Sequence, residues 1–186
     1  MKSFWLIGCL FAATITHAQT IRSIRVQIRG DEQFPKSIQF YCAIKYPRQR
    51  CVSDAIALER VLRRYPVSKL GPWAFVLAPS DEWKELVRGL GGIPDSPAFS
   101  VQENRTTVLE EALFWASGRR RAELIRMFGT VDGALLEQAV SHELGHALCD
   151  EFKENRAARN GQDLLAGRTP TCQGSSQRLG ADAKAH

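Results

Sequence analysis

The stretch from Gly133 to about Cys149 constrains the fold more than any other part of the chain. Leu135, Leu136, Ala139, Val140, Leu144, Ala147 and Leu148 recur at helical spacing, which predicts a long amphipathic helix with one face in a core. Gly129-Thr130-Val131-Asp132 precedes it as a break with a capping acid. Inside this helix stands His142-Glu143-Leu144-Gly145-His146. Each helical residue turns about 100°, so the two histidines end about 40° apart and one turn along the axis. Both imidazoles then face one way and can bind one ion. Zinc suits such a pair because it accepts neutral imidazole nitrogen in a tetrahedral arrangement. Glu143 falls beside that face, where its carboxylate can act as a general base on a water held by the ion. Gly145 costs about 1 kcal/mol against Ala in a helix interior, so a close approach by another group is expected there. The competing interpretation is two ordinary histidines and a surface glutamate.

Catalytic zinc takes three protein ligands and leaves one position open. Glu154 is the candidate third ligand. It lies twelve residues past His142, about 18 Å along a straight helix and about 120° round it. It reaches the histidines only if the helix ends near Cys149-Asp150 and the chain turns back, with Asp150 as the cap of a new helix. Asp163 is a reserve ligand. Asp150 and Glu151 are candidates for orienting a ligand histidine through its second nitrogen. Arg156 and Arg159 are the nearest candidates for steadying an oxyanion, since all three tyrosines precede residue 66.

The segment HELGHAL resembles the active-site helix of gluzincin-type zincin metallopeptidases. The resemblance covers about residues 135–165. It implies a Glu ligand on the following helix, which in several short members opens an E-x-x-A-[ND] motif. Glu154-Asn155-Arg156-Ala157-Ala158 matches at Glu154 and Ala157, with Ala158 where Asn or Asp stands in the family pattern. The implied function is hydrolysis of peptide bonds, with Zn2+ held by His142, His146 and Glu154 and with Glu143 as the base. A peptide or protein substrate would then lie along a sheet edge, and Ala98 to Val101 is the candidate edge. The alternative, of a different class, is an exported disulfide-stapled binding or structural module with a structural or inactive zinc site.

Export is expected from residues 1–18. A basic start at Lys2 is followed by an apolar run from Phe4 to Ile15, then by small residues around Ala18, the layout of a secretory signal. Leu6-Ile7-Gly8-Cys9 is a rival lipoprotein box, but almost no apolar stretch precedes it. After residue 18 four cysteines remain, and the expected pairing is Cys42–Cys51 with Cys149–Cys172. Zinc ligation by cysteine is the competing interpretation; no CxxC pair supports it. The formal net charge of +5 is scattered apart from Arg119-Arg120-Arg121, a triplet expected at a helix start. No basic–aromatic interleaving points to nucleic acid, and no second apolar run is long enough for a membrane span.

The remaining pattern predicts strands at Ile21–Arg29 and Ser37–Lys45, a helix capped by Ser53 and running to about Tyr65, and a central strand over Trp73–Leu77. A helix capped by Ser80 follows, then a loop-rich stretch containing the 98–101 strand. Helices are expected from Thr106 or Thr107 to about Ala116 and from about Arg119 to Phe128. Strands and helices come first and helices alone follow, which predicts one α+β domain over residues 19–170, a small mixed sheet packed on helices. Residues 171–186, rich in Gly, Ser, Gln and Ala, are expected to be a disordered tail.

Overall fold

The computed structural model describes residues 21–28, 34–115 and 118–172. The expected signal segment and all of the expected tail beyond Cys172 lie outside the described residues. The fold is α+β. Five strands form one mixed sheet: β1 (Ser23–Val26), β2 (Ile38–Ala43), β3 (Trp73–Ala78), β4 (Ala98–Val101) and β5 (Thr106–Glu110). Their spatial order is β1-β2-β3-β5-β4. The inner trio β2, β3 and β5 is parallel, and each outer strand runs antiparallel to its neighbour. The described residues also hold α1 (Arg48–Leu62), α2 (Trp83–Gly89), α3 (Ala112–Trp115), α4 (Gly118–Phe128), α5 (Leu135–Ala147) and α6 (Glu154–Leu165).

Alternation along the strands divides the sheet into two faces. Phe40, Phe75, Leu77 and Leu109 join Leu58 and Leu62 of α1 and Leu135, Val140 and Leu144 of α5 in the main core. Val76 and Val108 point the other way, against Trp83 and Val87 of α2. β3 is buried on both faces, which is why WAFVLA reads as a continuous apolar run. α5 is the hub of the helical layer, in contact with α1, α3, α4, α6 and β4. At roughly 25 cal/mol per Å2 of apolar surface, each fully buried leucine of this core contributes about 2 kcal/mol.

Both disulfides join the expected partners. Cys42–Cys51 ties β2 to α1, and Cys149–Cys172 ties the end of α5 to the chain after α6. The arginine triplet opens α4, where Arg120 pairs with the buried Glu110 at the end of β5. No helix among the described residues is long and apolar enough to cross a membrane.

Four expectations need correction. No acid caps α5: Asp132 opens a short 3-10 turn, and α5 begins at Leu135 behind Ala134 with no side-chain cap. The stretch from Thr106 is a strand, β5, with a helix only at Ala112–Trp115. Thr106, Thr107 and Val108 are β-branched, and pairing on both sides with β3 and β4 uses that preference. α1 starts after Pro47 rather than at Ser53, whose hydroxyl instead donates to the Arg50 carbonyl within the helix. Ser80 does not cap α2, which begins at Trp83.

Candidate metal centre

His142 and His146 both project from α5, one turn apart, with ring centroids 5.1 Å from each other. α5 ends at Ala147 and the chain reverses over residues 148–153. The reversal is built on Asp150, whose φ of 47° places it in the left-handed region that Asp tolerates better than most residues. The Glu151 N–H then donates to the His146 carbonyl, 3.0 Å away, closing the helix end. Asp150 therefore ends α5 rather than capping α6; Lys153 holds the N-cap position and Glu154 is the first helical residue. A carboxylate there lies at the positive end of the helix dipole.

The reversal returns Glu154 to the histidines. Its Oε2 lies 3.1 Å from Nε2 of His142, and its Oε1 lies 3.5 Å from Nε2 of His146. The three donor atoms all fall within 4.8 Å of one another, a spacing one small cation can satisfy. The histidine tautomer also fits. Nδ1 of His146 lies 2.6 Å from the Glu151 carbonyl oxygen. A carbonyl can only accept, so Nδ1 carries a proton, and in the neutral ring Nε2 then keeps its lone pair for a metal. Glu151 meets the second ring nitrogen of His146 with its backbone carbonyl rather than with its carboxylate. The carboxylate accepts from the Lys153 N–H at 2.9 Å and faces Arg156, two interactions that hold it below the usual carboxylate range and brace the turn. Two imidazoles, that of His146 with its Nδ1 occupied, and one carboxylate make a donor group suited to zinc.

Glu143 lies on the other side of His142, buried at 4% exposure between α5 and the sheet. Burial pushes its carboxyl up to about 7, partly offset by His146 and by a hydrogen bond from Ser100. Ser100 Oγ donates to Glu143 Oε2 at 2.8 Å. Burial and the neighbouring His146 both hold His142 below its ordinary value. All four site residues line a cleft of about 410 Å3 whose wall on the sheet side is β4. Gln102, just past β4, lines the same cleft, and its buried Nε2 has no hydrogen-bond partner among the described residues. A larger hollow of about 540 Å3, between Ile44, Lys45, Glu82 and Leu86, brings together no comparable donor set.

The other candidates fall elsewhere. Asp163 pairs with Arg168, 2.7 Å away, and is not among the donors that come together. Cys149 is consumed by its disulfide. Arg156 and Arg159 line a separate hollow with Asp163 and Asn160, because α6 turns that face away from the histidines. Ala158, where the family motif has an acid or amide, is exposed. The buried amide of α6 is Asn160, whose Nδ2 donates to the Gly145 carbonyl at 3.2 Å. Four contributors escape the sequence pattern: Ser100, Gln102, Asn160 and Gly161. Gly161 carries a faint signal, a second small residue four after Ala157. Ser100 carries none beyond its place in the strand at the cleft. Comparison with protein-family models, curated proteins and solved structures finds no match to this chain.

Proposed function

We propose that this chain is an exported zinc-dependent metallopeptidase of the gluzincin kind, with His142, His146 and Glu154 as ligands and Glu143 as general base. One observation carries this: three donor atoms within 4.8 Å of one another, beside a buried carboxylate, in one cleft. When bound, zinc supplies Lewis acidity and makes a water acidic enough to lose its proton near neutral pH. The chain's own residues do the rest. Ser100 occupies Glu143 Oε2, which leaves Oε1 to take a proton from the cleft. A buried carboxylate held beside the donor group can take that proton and pass it to a departing amine. Turned into the cleft that it lines, the Gln102 amide would offer an N–H to a developing oxyanion or a substrate carbonyl, the role that the sequence suggests for Arg156 or Arg159.

β4 supports a peptide substrate. Glu110 N–H donates to the Pro97 carbonyl, so residues 97 and 110 form a hydrogen-bonded pair. Antiparallel alternation then makes Ser100 and Thr107 a pair without mutual main-chain bonds, and the N–H and C=O of Ser100 point away from β5. An extended peptide can add there beside the donor group. The two disulfides are compatible with export.

Metal analysis of the purified protein, with a broad peptide library, tests the proposal. About one zinc per chain is expected, and Glu143→Gln should keep the zinc while abolishing hydrolysis. A preparation that stays metal-free at micromolar zinc rejects it. Zinc bound with no turnover anywhere in the library supports the structural or binding module instead.

A further inference from the structure

We infer that Ser100 and Thr107 are positioning residues for Glu143, held in one sense by the indole N–H of Trp73; the inference rests on the proposal that Glu143 is a base. The three residues stand on adjacent strands. Trp73 opens β3, Thr107 is in β5 and Ser100 is in the outer strand β4. Trp73 Nε1 lies 3.0 Å from Thr107 Oγ1, Thr107 Oγ1 lies 2.9 Å from Ser100 Oγ, and Ser100 Oγ lies 2.8 Å from Glu143 Oε2. Trp73 and Thr107 are both buried, so water is not their natural partner.

The direction of this chain follows from its ends. An indole N–H can only donate, so Thr107 accepts from Trp73. As a base Glu143 is ionised before it takes a proton, and an ionised carboxylate can only accept, so in that state Ser100 donates to Glu143. Ser100 has one proton and it is used there. The bond between the hydroxyls is therefore donated by Thr107. Every hydroxyl proton points toward the carboxylate, and no rotor in the chain can turn without leaving a buried group unpaired. A short side chain on a strand holds a partner more closely than one on a loop. The result is a carboxylate with Oε2 pinned to the sheet and its remaining oxygen presented to the cleft. The sheet thereby fixes the base relative to ligands carried by α5 and α6. A purely structural role, satisfying a buried acid, would cost stability in a variant without the hydroxyl and leave kcat of the folded protein near wild type.

The test uses the full-length, zinc-loaded protein and its Ser100→Ala, Ser100→Thr and Thr107→Val variants. Zinc content, kcat and KM on a cleaved peptide, and the crystallographic position of the Glu143 carboxylate are measured. For Ser100→Ala, zinc should stay at about one per chain, kcat should fall roughly 10- to 100-fold with KM within about twofold, and the carboxylate should leave its place. Ser100→Thr should recover most of kcat, and Thr107→Val should move the same quantities in the same direction by less. Wild-type kcat in Ser100→Ala, a loss carried by KM, or an unmoved carboxylate overturns the inference. If Ser100→Ala fails to fold, Thr107→Val decides the question by the same readouts. If the wild-type protein cleaves no peptide, the peptidase proposal fails by itself, and the carboxylate position in the variants still decides whether Ser100 orients Glu143.

Discussion

The carbonyl oxygen of Ala157 lies 2.3 Å from where a Cβ on Gly145 would stand. α5 and α6 therefore touch backbone to backbone at the level of His142 and His146. The contact is reciprocal: a Cβ on Gly161 would meet the Ser141 carbonyl and the His142 backbone at 3.0 Å. Asn160 adds its bond to the Gly145 carbonyl. Glu154 reaches both histidines because these small residues let the helices close on each other. The glycine that is unfavourable within α5 has its explanation in this crossing rather than in access to the ion itself.

Gly145→Ala should consequently push α6 away, since a backbone carbonyl cannot swing aside as a side chain can. Overpacking of this kind costs about 1–3 kcal/mol, or a fall in Tm of roughly 3–10 °C for a domain of this size. Zinc affinity should drop with it, because Glu154 moves with α6. Gly133→Ala, where a Cβ meets nothing within 4 Å, is the control and should leave Tm and zinc binding near wild type. Thermal unfolding and chelator competition on both variants check this. A Gly145→Ala protein with unchanged zinc affinity would show that the crossing does not set the ligand geometry.

Glu151 should matter for zinc although it is no ligand. Its side chain braces the turn through the Lys153 N–H and Arg156, and its carbonyl sets the His146 tautomer. Glu151→Ala removes the brace and lets the carbonyl drift. A loss of about tenfold in zinc affinity is expected, in line with other partners that orient metal-bound histidines. Competition against a chromogenic chelator measures it. Ala158→Asn, on the exposed face of α6, should have no effect, although the family motif would place a polar partner there.

What can be read from sequence follows the range of the interactions. The apolar period of α5, the run in β3 and the short cysteine spacing are local signals, and the structure agrees with each. The two-histidine face is local too, since helical geometry alone sets it. Glu154 needs a reversal that no Gly or Pro announces; the structure makes it with Asp150 in a left-handed conformation, a choice composition does not reveal. Thr106–Glu110 is a strand against expectation because its partners, β3 and β4, decide its state, although its β-branched residues point the right way. Ser100 and Glu143 are 43 residues apart and meet only through the packing of β4 on α5, so no pattern within either segment could join them.

The Cys149–Cys172 bond closes a loop that contains all of α6, Glu154 included. By chain entropy a loop of this length contributes roughly 3 kcal/mol. The double variant Cys149→Ser/Cys172→Ser should lose about that much stability, with a lower Tm. It should also bind zinc more weakly, because α6 is less tightly returned to α5. Loss of Cys42–Cys51, on the far side of the core between β2 and α1, should lower Tm without selectively weakening zinc binding. Zinc affinity measured well below each variant's Tm separates the two effects. Equal zinc losses from both double variants would mean that the Cys149–Cys172 bond acts only through global stability.

Glu143 gives the metal-free protein a pH dependence whose sign is opposite to that of most paired carboxylates. Burial raises its folded-state value from 4.5 to about 7, so between those values the folded protein holds a proton that the unfolded chain has released. Stability from this group is thus fully present below about pH 4.5 and is lost as pH rises toward 7. The span corresponds to a contribution on the order of 3 kcal/mol. His142, held below its ordinary value, acts in the other direction: its contribution is present above about pH 6.5 and fades as pH falls. Subtraction isolates the glutamate. Urea unfolding of the chelator-treated protein from pH 4.5 to 7.5, compared with Glu143→Gln, should show the variant gaining relative stability as pH rises, because Gln carries no charge to bury. A wild-type minus variant difference that stays flat across that range would mean that Glu143 titrates near its ordinary value, with water reaching its carboxylate in the free protein.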